Sequence, residues 1–275
     1  MSHTRWSAGR LLPSVWRLGA CINSLLFVLL VSGCASQEAP GGQTRETPAA
    51  APPPVSLAKK SVDPQTAGIL KGAVTFQGAV PPPKELSVRG NPECAVFHKN
   101  GAVESEELVV AGGGLKNVFV YVKEGLEGFS FEPPVDPLTL ENKGCVYVPH
   151  VSGAQVGQPV IFLNQDPTLH NIHSYSKNSK PWNLGLPFQG MKQTKKFAAA
   201  EVMVTLKCDV HPWMTGYVGV LAHPYFAVSG ARGEFEIKNL PPGDYTIEAW
   251  HEKLGVQTQR VRLEPRETKE IEFSF

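Results

Sequence analysis

The sequence predicts an all-β protein, a sandwich or barrel of many short strands. β-branched and aromatic residues gather in short runs with period-two alternation, bounded by turn residues. Gly and Pro, 26 and 24 of them among 275 residues, punctuate those runs. Their share exceeds the ordinary value of about 12% and falls short of the roughly 25–30% that marks a wholly disordered chain. No window of helical length carries an apolar period of 3.6. At 42% apolar and 19% charged residues, the chain can bury a core. A formal net charge of +1 leaves no electrostatic footprint for nucleic acid, so no such partner is expected. Heptads and repeated long apolar runs are missing, which excludes a coiled coil and a multi-spanning membrane protein.

The first 33 residues read as a targeting segment. Arg5, Arg10 and Arg17 form a basic front, and no acid occurs before Glu38. The apolar run from Leu25 to Val31 is short of the roughly 20 residues that span a bilayer. It ends in Val31-Ser32-Gly33-Cys34, which resembles the bacterial lipobox. That resemblance implies cleavage before Cys34 and lipid on its sulfur and new amine; an ordinary cleaved signal peptide is the alternative. The expected location is therefore an exported lipoprotein, periplasmic or anchored at the outer membrane through Cys34. Cleavage removes three arginines and no acid, which takes the formal charge from +1 to −2. Residues 34–66 hold almost no large apolar side chain and cannot offset the entropy of folding, so they read as a flexible tether.

Strands follow in order. The runs at 72–76, 117–122, 146–148 and 159–163 are rich in Val, Ile, Phe and Tyr. Further runs lie at 202–207, 217–221, 233–238, 244–250 and 268–274.

The chemistry concentrates in Cys208-Asp209-Val210-His211-Pro212-Trp213-Met214. Before it, Val202, Val204 and Leu206 alternate with Met203, Thr205 and Lys207, which puts Cys208 on the inward face at a strand's end. A thiolate, an imidazole and a thioether then share one short loop, and soft sulfur with imidazole suits copper. A second imidazole must come from another strand. The segment Asp166-Pro167-Thr168-Leu169-His170-Asn171-Ile172-His173 offers two candidates. Parity places His170 with the apolar Ile172 and His173 on the other face, so His170 is preferred unless a bulge reverses the parity.

These residues resemble the cupredoxins. Leu169-His170-Asn171-Ile172-His173, followed by Cys208-x-x-His211-Pro212-x-Met214-x-Gly216, is similar to the amicyanin type in particular, over roughly residues 155–222. The resemblance implies a Greek-key β-sandwich over residues 67–224. It implies one copper per chain, cycling between Cu+ and Cu2+, with His170, Cys208 and His211 as equatorial ligands and Met214 as the long axial one. It further implies that Asn171 pins the two ligand loops together. His211 would be the exposed ligand whose ring edge meets a partner, with Pro212 and Trp213 as an apolar rim. Leu169 stands where the family often has proline, and Asp209 where it has a small residue; neither change removes a ligand.

Such a site transfers single electrons, because little moves when the ion's charge changes. The expected partners are redox proteins of the periplasm or cell surface, reached from a membrane tether at Cys34. Three alternatives remain open. A copper enzyme would need a second metal, yet Lys207 and Asp209, not histidines, flank Cys208. His98, His150, His173, His223 and His251 lack a tight ligand spacing. A copper-holding or delivery protein would not cycle redox state, and a metal-free interaction lipoprotein would hold no copper at all. Zinc on the same ligands is disfavoured by the methionine.

Cys94 and Cys145 are left after Cys21, Cys34 and Cys208 are assigned. An exported compartment permits disulfides, so these two are expected to pair, for roughly 3–4 kcal/mol of stabilisation. After His223-Pro224, the alternation of Gly233-Glu-Phe235-Glu-Ile237 and Tyr245-Thr-Ile247 around a Pro-Pro-Gly turn resembles carboxypeptidase regulatory-like (transthyretin-like) β modules. A second module is therefore expected at 225–275, for support or docking. It is short for an independent core, and the stretch at 68–80, with its Gly-x-Val-x-Phe-x-Gly pattern, is a candidate to complete it.

Overall fold

A computed structural model describes residues 60–98 and 100–275. The targeting segment, Cys34 and the tether up to residue 59 lie outside the described residues. The architecture is all-β. Strand β1 (Gly68–Thr75) opens it, followed by β2 (Glu85–Ser87), the single helical turn α1 (Pro92–Ala95) and β3 (Ala102–Glu104). Next come β4 (Val110–Ala111), β5 (Gly114–Leu115) and β6 (Phe119–Glu124). The middle of the chain supplies β7 (Leu138–Asn142), β8 (Tyr147–Val148), β9 (Val151–Gln155), β10 (Val160–Asn164) and β11 (His170–Ser174). After these run β12 (Trp182–Leu186), β13 (Lys192–Lys195), β14 (Glu201–Lys207) and β15 (Thr215–Leu221). The chain ends in β16 (Phe226–Val228), β17 (Glu234–Leu240), β18 (Gly243–His251), β19 (Gly255–Leu263) and β20 (Thr268–Ser274).

Two hydrophobic cores divide these strands. The first lies between the sheet β13-β10-β7-β8 and the sheet β12-β11-β14-β15-β9. It buries Leu140, Val160, Phe162, Ile172, Leu186, Val204, Leu206, Val218 and Val220, together with Cys208 and Met214. The second lies between β16-β6-β18-β19 and the sheet of β17, β1, β5, β4 and β20. It buries Leu70, Val74, Val120, Val122, Phe235, Ile237, Ile247, Leu263 and Phe273.

The boundary expected at 224/225 is not where the packing divides. Strand β1 pairs antiparallel with β17 and parallel with β20, and β6 pairs with β16 and β18. A segment of some 50 residues cannot bury enough surface by itself, so the C-terminal strands close their core with strands from 68–124. The first core is formed mainly by residues 138–221, with Val88 and Cys94 added from the segment between β1 and β6.

Period two in β6 joins the cores. Val120 and Val122 face the second core, while Phe119 and Tyr121 face a junction shared with Val151 and Leu221. Gly153 and Gly219 lie under the Phe119 ring: a Cβ there would come within 2.8 Å and 2.3 Å of its atoms.

Candidate metal centre

Strand pairing brings the two ligand segments together. β11 runs antiparallel to β14, with His173 opposite Lys207 and Ser174 opposite Leu206, so His170 and Cys208 arrive at the same end of the sheet. The hairpin β14–β15 carries residues 208–214 at its tip. There the Met214 N–H donates to the His211 carbonyl (2.9 Å) and the Cys208 N–H to the Met214 carbonyl (3.3 Å), which closes the loop on itself.

Cys208 Sγ and one ring nitrogen each of His170 and His211 all lie within 4.8 Å of one another, and all three residues are buried. His170 Nδ1 is 3.0 Å from His211 Nδ1, and Cys208 Sγ is 3.7 Å from His211 Nδ1. Metal bonds of about 2.0 Å to nitrogen and about 2.3 Å to sulfur space such donors by roughly 3.3–3.7 Å. The two spacings that His211 makes therefore match donors around one ion to within a few tenths of an ångström. Two imidazole lone pairs and a thiolate aimed at one point repel each other unless a cation or proton lies between them, so the donor set fits a metal. Met214 is buried in the same apolar cluster.

The surroundings hold these donors in place. Asn171 Oδ1 accepts from the Asp209 N–H (2.7 Å) and from the Cys208 thiol (3.2 Å), so it ties the first ligand strand to the second ligand loop. Its amide nitrogen donates to Asn183 Oδ1 (2.7 Å) and Asp209 Oδ2 (2.9 Å). The Tyr147 hydroxyl donates to the Asn171 carbonyl at 2.7 Å. Burial raises the Cys208 thiol pKa, but hydrogen bonds with His170 and His211 and backbone groups at Asn171 and His211 outweigh it, bringing it down to about 6. A thiolate, the form that binds metal, is thereby favoured.

Two acids gain roles that the sequence leaves unassigned. His170 Nε2 lies 2.9 Å from Asp166 Oδ2, which fixes the proton on Nε2 and leaves the Nδ1 lone pair facing the cluster. Burial alone would raise the Asp166 pKa, yet His170 and the Cys145 and Gly144 N–H groups (2.8 and 2.7 Å) hold it below the ordinary value. Asp209, the departure from the family pattern, takes the Asn183 amide at 2.6 Å and His173 Nδ1 at 3.1 Å, and so braces the ligand loop. Their only signal in the sequence is position: Asp166 stands four residues before His170, and Asp209 directly follows Cys208.

Among the described residues, the other histidines do not join the cluster. His173 is stacked on Tyr175 with ring centroids 4.4 Å apart, on the opposite face. His98 meets the Gly144 carbonyl at 2.8 Å, His150 pairs with Glu252, and His251 Nδ1 accepts the Lys253 and Leu254 N–H groups.

One expectation is corrected. The resemblance implied an exposed His211, but His211 is 0% exposed and its Nε2 has no hydrogen-bond partner among the described residues. The cause is the disulfide between Cys94 and Cys145, whose sulfurs lie within 4.8 Å of a His211 ring nitrogen. Trp213 completes the covering: its ring centroid is 5.1 Å from that of His211, and its Nε1–H donates to the Cys145 carbonyl at 3.0 Å. Trp213 is thus half-buried beside the centre, and only Pro212 remains exposed in that stretch of rim.

No family model matches the chain, and no curated protein does. Solved structures match over part of it, and they are cupredoxins. A purple cupredoxin from Nitrosopumilus maritimus is 26% identical over 30% of this chain and 98% of that one, with a TM-score of 0.26. An oxidised proline-to-glycine mutant of amicyanin is 17% identical over 42% and 93%, with a TM-score of 0.29. A Cu-containing nitrite reductase from Thermus scotoductus SA-01 is 19% identical over 55% of this chain but only 28% of that one, with a TM-score of 0.30. Scores this low describe partial superposition, and the chemistry of the centre rests on its own donor atoms.

Proposed function

We propose that the chain is a one-electron carrier built around a single copper ion held by His170, Cys208 and His211, with Met214 alongside. The observation that carries this reading is the buried cluster of one sulfur and two Nδ1 atoms at 3.0 and 3.7 Å. Two His and one Cys with a neighbouring Met form a ligand set suited to copper electron-transfer sites, whereas structural zinc sites seldom use methionine. Copper would supply the one-electron chemistry. The chain's contribution is rigidity: Asn171, Asp209 and Asp166 fix the donors through hydrogen bonds to one another and to backbone, so a change in the ion's charge finds little to rearrange. Exposed Leu169, Phe188 and Val210 stand on the ligand loops or beside them and offer an apolar face to a redox partner protein.

The carrier is favoured over an enzyme because Lys207 and Asp209 flank Cys208, so no imidazole leads from the thiolate to a second metal. We further infer that the protein is exported and anchored through lipid on Cys34, periplasmic or at the outer membrane, with the second core as a transthyretin-like support. Cys34→Ala should move it from the membrane fraction to the soluble one.

Absorption of the Cu(II)-loaded protein tests the centre. An intense thiolate-to-copper band that disappears in Cys208→Ala is expected, and a protein with no such band overturns the assignment. Copper binding without reversible exchange at an electrode would favour delivery over electron transfer.

A further inference from the structure

We propose that the Cys94–Cys145 disulfide is a redox-controlled cover over His211, and that its reduction turns the cover into a second soft-metal set of Cys94, Cys145 and His211. The proposal rests on the preceding reading only in taking His211 as a ligand. Both cysteines are fully buried, and their sulfurs and a ring nitrogen of His211 lie mutually within 4.8 Å. The disulfide thus stands against an imidazole that is itself buried and has one nitrogen without a partner among the described residues.

The cover is attached at points rather than along a ladder. α1 is a single turn, capped by the Asn91 side chain on the Cys94 N–H (3.3 Å). The Glu93 carboxylate accepts from the Thr168 hydroxyl, and the His98 ring meets the Gly144 carbonyl. The outer residues Val96 and Phe97 are 75% and 41% exposed. A segment with so few buried contacts opens locally at lower cost than a strand within a sheet, which gives a reductant a path to the bond.

The step is thiol–disulfide exchange with an external dithiol. One of its thiolates attacks a cysteine sulfur, forms a mixed disulfide and expels the other cysteine as thiolate. The second thiol of the reagent then closes the reagent's own disulfide and releases the first cysteine. Two electrons and two protons pass to Cys94 and Cys145, and the dithiol leaves oxidised. Two thiols with Cα atoms 5.8 Å apart then flank an imidazole, a set suited to soft or borderline ions. His211 belongs to both sets, and Cys145 is tied through its N–H to Asp166, which orients His170. The thiol state of the pair therefore acts on how the first centre is held.

The test uses the full-length chain, metal-free, with cobalt(II) as the probe and Cys208→Ala as background, so that the first thiolate cannot contribute. After anaerobic reduction with dithiothreitol and its removal, a thiolate-to-cobalt band is expected. It should be absent from oxidised Cys208→Ala and from the reduced triple variant Cys94→Ser, Cys145→Ser, Cys208→Ala. Adding His211→Ala should weaken cobalt binding at least about tenfold. A reduced Cys208→Ala protein without the band overturns the second set.

A parallel measurement needs no variant. Diethyl pyrocarbonate labelling, mapped by peptide mass, compares His211 with His251, a buried histidine at the end of β18 whose Nε2 also has no partner among the described residues. Reduction should speed labelling of His211 at least about tenfold and leave His251 unchanged. No acceleration at His211, or equal acceleration at both, overturns the cover. Neither readout involves copper, so failure here and failure of the copper band are separate results.

Discussion

The two cores follow one plan and differ in what they do with polar groups. In and around the second core, buried hydroxyls find acceptors, although His251 Nε2 is left without a partner among the described residues: the Tyr245 hydroxyl donates to the Pro241 carbonyl at 2.5 Å, and the Tyr121 hydroxyl at its border donates to Glu248 at 2.5 Å. In the first core, His170, His211 and Cys208 turn donor atoms toward one another that cannot all be mutually satisfied. Paired polar groups stabilise a fold, whereas convergent lone pairs call for a cation. The second pattern occurs in the first core, which is where the proposed centre lies.

The largest expected effect tests whether the cores are coupled at all. Phe119 is fully buried at the junction, with its ring against Gly153 and Gly219. Phe119→Ala should cost about 3–5 kcal/mol through lost transfer energy and an unfilled cavity. Urea unfolding monitored by circular dichroism would measure it. A loss below about 1 kcal/mol would mean that the cores stand independently and that the junction carries little of the stability.

The next effect separates the cores by function. Asp166→Ala removes the carboxylate that orients His170 and holds residues 144–145, and should weaken copper binding about 10- to 100-fold. Competition with a copper chelator reads this directly. Unchanged affinity would mean that the imidazole is oriented by its packing alone.

How much of this contrast the sequence displays depends on the range of the interactions involved. Strands β6, β14, β17 and β18 are visible because β-branched and aromatic residues alternate along them. Strand β19 is hidden because Gln257, Thr258, Gln259, Arg260 and Arg262 mask the inward Val261 and Leu263. The meeting of His170 with Cys208 follows from residue types and strand parity, both of which are local. The covering of His211 does not, since it joins residues 94, 145 and 211 through a tertiary contact that no local pattern encodes. The division of the cores is half visible: the Gly-x-Val-x-Phe-x-Gly stretch at 68–80 offers itself to the C-terminal strands, but the parallel pairing of β1 with β20, which spans nearly the whole folded chain, has no local signal.

A smaller effect contrasts the polar anchors by pH. Glu201, at the start of β14, accepts from the Ser176 hydroxyl (2.6 Å) and from the Lys177 and Asn178 N–H groups (3.0 and 2.9 Å). Burial raises its pKa, but these donors outweigh burial and hold it below the ordinary carboxylate value. A depressed folded pKa stabilises above the unfolded value, and that stabilisation is lost as pH falls through the folded one. Stability should therefore fall, through this group, as pH drops below the ordinary carboxylate range. Glu201→Gln should flatten that part of the profile, and an unchanged slope in the variant would assign the acid loss elsewhere.

The smallest effect belongs to the second core. Burial, with a lesser contribution from Tyr225, pushes the Tyr245 phenol up to about 12, so it stays neutral while it donates to Pro241. Tyr245→Phe keeps the ring and removes one neutral hydrogen bond, for a loss of about 1 kcal/mol. That loss should be the same at acid and neutral pH, because the deleted group does not titrate there, and the thiolate-to-copper band should not move. Thermal unfolding at two pH values, with the spectrum recorded beside it, measures both. A shifted band would show that strain in the supporting core reaches the ligands, and the contrast between the cores would then be one of degree.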